Sequence, residues 1–93
     1  MPDLAQEIRR GEEAHRILSA EIYKEAFAQI EQRLISQLAV IEITPDRAEY
    51  LRQLLIANRK VEGYLKQVML TGQMAEQRQS LMERAKAKVR SVF

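Results

Sequence analysis

His15, set among Glu12, Glu13 and Arg16, is the one histidine of the sequence, and its type titrates near neutral pH. Nucleophilic catalysis would need a Ser or Cys placed with it, and a metal would need ligands beyond one histidine. The sequence provides neither set. It has no cysteine, no Gly-rich phosphate loop, no histidine near a Ser or Cys nucleophile, and no arrangement of paired carboxylates with a histidine that would complete a metal site. His15 therefore reads as a surface residue, in a chain that is not an enzyme and needs no cofactor or metal.

Basic side chains offer a second chemistry. Arg52, Arg59 and Lys66 recur every seven residues with Lys60 beside them, and Arg84, Lys86, Lys88 and Arg90 crowd one stretch near the end. Either set could neutralise nucleic-acid phosphates. The plainer readings are a solvated helix face for the stripe, and for the terminal cluster a solvated end or a site for an acidic protein surface. No aromatic residue interrupts the basic cluster and Phe93 stands alone at the terminus, so base stacking is not supported. No helix-turn-helix unit with short helices is visible.

The elements that would carry these groups are all helical. The chain is rich in Ala, Glu, Gln, Leu, Arg and Ile, with three Gly, two Pro and no Trp. The clearest element runs from Thr44 to Thr71. Thr44 is an N-cap, Pro45 fits the first helical position, Asp46 and Glu49 place negative charge near the positive end, and Gly72 reads as a left-handed stop. Within it Leu51, Leu54, Asn58, Val61, Leu65 and Val68 form a heptad seam with one polar insertion. Asn58 either pairs across an interface and fixes register or lies exposed at the seam's edge. Leu55 and Met69 widen the stripe on one side, and Tyr50, Ala57 and Tyr64 on the other, so it exceeds what one partner helix covers. Ile56 and Leu70 lie nearly opposite, as isolated surface residues or a second contact face.

A second long amphipathic helix is expected over residues 20–41, with Tyr23, Phe27, Ile30, Leu34, Leu38 and Ile41 inward. The two helices match in length, about 33 and 39 Å at 1.5 Å per residue. The short link Glu42-Ile43-Thr44 favours antiparallel neighbours. Before them lies an N-terminal arm, residues 1–18. It starts from an Asp3–Gln6 capping box and is weakened by Gly11 and dense mixed charge, so order is expected from about Glu12, with Ser19 capping the next helix. After Gly72, residues 73–93 read as a separate basic helix with Met74, Leu81, Ala85, Val89 and Val92 as its apolar positions. The expected fold is all-α and a single domain: an antiparallel helical hairpin with shorter N- and C-terminal helical segments.

With 93 residues and no disulfide or metal, such a fold needs close helix packing or self-association. A homo-oligomer is expected, with Leu51, Leu54, Asn58, Val61, Leu65, Val68, Phe27, Ile30 and Leu34 at its interface. Charge is split along the chain: residues 1–49 hold six Lys or Arg against ten Asp or Glu, and residues 50–93 hold nine against three. Opposite signs would attract within one hairpin or head-to-tail between subunits. No apolar run approaches the roughly twenty residues of a membrane span, and the N-terminus is too charged for a signal peptide. A soluble intracellular protein is expected, with no membrane partner.

Ala14, Ile17-Leu18, Glu25-Ala26-Phe27, Arg47, Leu51, Val61, Tyr64-Leu65, Val68, Thr71-Gly72 and Ala75 together resemble small helical proteins encoded in the head and DNA-packaging gene clusters of tailed bacteriophages and prophages. The resemblance covers about residues 14–76. Ser19-Ala20-Glu21 stand where such proteins often carry Asn or Asp and a Pro, so the resemblance does not itself imply a sharp break there and leaves open whether the first segment continues into the second. It implies a non-enzymatic virion-assembly or packaging role, docking on head, portal or packaging components. The alternative is a nucleic-acid-binding helical module, small-terminase-like or a hairpin dimer, using Arg52, Arg59, Lys66, Arg84, Lys86, Lys88 and Arg90. A host-directed inhibitor is the third.

Overall fold

A computed structural model describes residues 3–92; Phe93, expected to stand alone at the terminus, and the side chain of Val92 lie outside what is described. Three α-helices make up this chain in order, α1 (Leu4–Ser19), α2 (Glu21–Leu38) and α3 (Pro45–Val92), with no strand among the described residues.

Asp3 starts α1: its carboxylate accepts the Ala5 N–H at 3.1 Å and its carbonyl accepts the Glu7 N–H at 3.0 Å. The helix is thus complete from Leu4 and does not wait until Glu12. Its mixed charge faces outward while Gly11 and Ala14 are buried, so tertiary packing, rather than local propensity, holds it. One residue then leaves helical space. Ala20 sits at φ −68°, ψ 129°, so a break does exist between the first two helices, and the residue at the N-cap of α2 is Ala20 rather than Ser19. Alanine offers no capping oxygen; Glu21 in the first turn meets the positive helix end instead.

Leu38 ends α2, three residues before the expected Ile41. Ala39 N–H bonds to the Ile35 carbonyl and Val40 N–H to that of Gln37, and Ile41 is left 98% exposed at the turn. Ile41 is therefore not part of the seam. The start of α3 follows the sequence reading closely. Thr44 Oγ1 accepts the Arg47 N–H at 3.2 Å, Pro45 is the first helical residue, and Asp46 lies in the first turn.

The end of α3 does not. It runs 48 residues without a stop, about 72 Å at 1.5 Å per residue, in a molecule measuring 76 × 25 × 17 Å. No glycine among the described residues takes a left-handed φ, so Gly72 stays helical and the expected separate helix over residues 73–93 is the continuation of α3. Gly72 is needed for closeness instead. A Cβ built on it would lie 2.7 Å from the Gly11 Cα and 3.0 Å from the Glu7 carbonyl oxygen; only a residue without a side chain admits α1 that near.

Contacts to α3 are spread along both shorter helices: Gly11 meets Gly72, Arg10 meets Tyr64, Glu31 meets Arg59, and Gln37 meets Arg47. The apolar core is thin. Ala14, Leu34, Leu51 and Ala75 are its buried apolar members. A compact monomer of this mass exposes about 5,500 Å², whereas this chain exposes 7844 Å². No described helix is long and apolar enough to cross a membrane.

Candidate interaction surfaces

The face that α3 turns toward α1 and α2 consists of Leu51, Leu55, Asn58, Glu62, Leu65, Met69, Gly72 and Ala75, all buried or half-buried. This face departs from the expected seam at two positions. Leu55 and Glu62 point in where Leu54 and Val61 were expected, and the latter two are 39% and 55% exposed. Half-burying Glu62 is tolerable because its carboxylate reaches the edge, where Lys66 Nζ lies 2.6 Å away. Of the expected interface residues, Leu34 and Leu51 are buried within the protomer, while Phe27, Asn58, Leu65 and Val68 are half-buried. Leu34 and Leu51 are thus unavailable to a second subunit. Ile30, Leu54 and Val61 remain exposed.

Two polar atoms on the inward side are buried without a hydrogen-bond partner, Tyr23 Oη and Asn58 Nδ2. The Tyr23 ring packs on Phe27 with centroids 5.5 Å apart. Burial raises the Tyr23 pKa above its ordinary value, the Glu62 charge raises it further, and Lys66 partly offsets this. Lys66 is itself raised, chiefly by its hydrogen bond to Glu62 and then by that carboxylate's charge.

The basic stripe is largely neutralised by its neighbours. Arg59 donates from Nε and Nη2 to Glu31 Oε1 at 2.9 and 2.7 Å, Lys66 pairs with Glu62, and Arg52 pairs with Glu49 at 2.6 Å. The C-terminal bases differ. Arg84, Lys86, Lys88 and Arg90 are exposed and make no ion pair among the described residues. His15 lines a shallow groove with Tyr23, Lys24, Glu62 and Lys66; no group of three metal-binding side chains occurs among the described residues.

On the flank of α3 away from the basic stripe, Tyr50, Leu54, Ala57, Val61 and Tyr64 follow one another at steps of four and three, and all five are exposed. Each end of this row is held by an arginine. The Arg47 guanidinium lies 5.6 Å from the Tyr50 ring centroid, and Arg10 Nη2 donates to Tyr64 Oη at 3.1 Å. Sequence reasoning noted Tyr50, Ala57 and Tyr64 as a widening of the seam; it did not find that they and Leu54 and Val61 form a separate row. It also missed the Gly11–Gly72 contact, for which two glycines inside helical stretches were the only signal. The chain matches no protein-family model, no curated protein and no solved structure.

Proposed function

We propose that the chain is a non-enzymatic assembly element: an antiparallel helical hairpin, with α1 and α2 folded back on α3, that self-associates and docks on head, portal or packaging components of a tailed phage. One observation carries the self-association, the mismatch between a core of four buried apolar residues and a surface roughly 2,300 Å² larger than a compact monomer of this mass presents. Apolar residues in such number on a thin fold call for a partner. The phage setting is supported by the resemblance of residues 14–76 alone.

A second reading, nucleic-acid binding, is favoured by the exposed bases Arg84, Lys86, Lys88 and Arg90, which make no ion pair among the described residues. Native mass spectrometry with and without duplex DNA separates the two. Multiples of the protomer mass in both samples support assembly; a lone protomer without DNA and a DNA-bound one with it select the second reading, and a lone protomer in both samples removes both. Docking is tested by titrating purified portal or capsid protein encoded beside the gene, and no change in sedimentation would remove that part of the proposal.

A further inference from the structure

We infer that the apolar flank of α3 is the contact between two copies of this chain, packed antiparallel about a two-fold axis at Ala57. The inference rests on the self-association reading above and adds the surface, the partner and the orientation.

Tyr50, Leu54, Ala57, Val61 and Tyr64 repeat with the spacing that keeps one helix seam facing another. Their exposure is large, 55% for Tyr50, 55% for Val61 and 59% for Tyr64. The row itself carries no charge, and its outer border is Gln53, Lys60 and Gln67. Across the helix, the exposed Ile56 and Leu70 stand among Arg52, Arg59 and Lys66 and their carboxylates. The continuous apolar area is therefore one-sided.

A second copy fits this row in one orientation better than the other. Antiparallel packing sets Leu54 against Val61 of the other copy and Tyr50 against its Tyr64, with Ala57 at the axis, where its small side chain lets the helices close. Arg47 then comes opposite the uncharged Gln67 but also near the other copy's Arg10, which sits on Tyr64, so one like-charge approach remains at each end. Parallel packing would oppose three like pairs, Arg47 with Arg47, Arg10 with Arg10 and, at the centre of the row, Lys60 with Lys60.

The test is sedimentation equilibrium at tens of micromolar on the wild type and on Leu54→Glu, Val61→Glu and Ile56→Glu, with helicity followed by circular dichroism. The wild type and Ile56→Glu should be dimers. The two flank variants should be helical monomers, with dimer affinity reduced roughly a hundred-fold by burying unpaired carboxylates. Dimers in both flank variants would overturn this contact and leave self-association standing elsewhere; a monomeric wild type would overturn both. Leu54→Cys and Val61→Cys decide the orientation and remain informative if the glutamates unfold the chain. Neither should cross-link alone on oxidation, because copies of one position would lie about 10 Å apart along the axis, beyond disulfide reach; their mixture should. Leu54→Cys linking to itself, or no link in the mixture, would overturn the antiparallel arrangement.

Discussion

Gly11 and Gly72, sixty-one positions apart in sequence, meet backbone to backbone: a Cβ on Gly11 would lie 2.8 Å from the Gly72 Cα. Because the obstacle is main chain, no rotamer change relieves it and the helices must separate. Alanine at either position gains up to about 1 kcal/mol of helix propensity and loses about 1–3 kcal/mol to overpacking. Gly11→Ala and Gly72→Ala should both lower the melting temperature. Gly63 has nothing within 4 Å of its would-be Cβ, so Gly63→Ala should raise stability by about 0.5–1 kcal/mol. Equal shifts for all three would remove the close contact.

The unpartnered atoms give a second prediction. Burying a polar atom without a partner costs about 1–3 kcal/mol, and Tyr23 Oη and Asn58 Nδ2 are in that position. Tyr23→Phe and Asn58→Leu should each increase stability in urea by about 1 kcal/mol. A loss on Tyr23→Phe would mean that the hydroxyl has a partner in solution.

Alkaline pH tests the same neighbourhood. Tyr23 and Lys66 both have folded pKa values raised above their ordinary 10.0 and 10.5. A raised folded value contributes stability that is complete below the unfolded value and is lost as pH rises through the folded one. Urea midpoints should therefore stay level from pH 7 to 9 and fall above 10, with a shallower fall in Tyr23→Phe. A decline that begins near neutrality would not come from these groups.

If the C-terminal bases bind nucleic acid, the binding is electrostatic. Affinity should fall with log salt at a slope of about 0.9 per phosphate contact. Replacing Arg84, Lys86, Lys88 and Arg90 by Gln should weaken it evenly across sequences and flatten the slope. Absence of a wild-type shift at about 50 mM salt, where screening is weakest, would assign the bases to an acidic protein surface instead.

The start of α3 was legible because Thr44 and Pro45 act locally, through one hydroxyl and one fixed φ. Gly72 was misread because a glycine signals either a left-handed turn or a close approach, and only the position of Gly11 decides which. The inward face was misplaced because Leu54 and Val61 match the heptad as well as Leu55 does; the packing of Leu51, Leu55, Leu65 and Gly72 sets the phase of α3 and carries Glu62 inward with them, and Lys66 at the edge makes that tolerable. The first half of α1 looked frayed for a related reason. Its charges are local and visible, whereas the backbone it packs on lies some sixty residues away.

Past Leu81, which shares a groove with Leu4 and Glu7, α3 packs against no other helix among the described residues, and residues 82–91 are exposed without exception. Isolated helices of ten or so residues are marginal in water, so these turns are held by their continuity with the body below. Their amides should exchange with solvent through openings that leave the rest of the molecule closed, with protection rising stepwise toward Leu81. The strongest cluster of unpaired charge thus rides on the least anchored turns. Whatever grips Arg84 to Arg90 also sets how far the helix extends, and its affinity carries the entropy of ordering those turns.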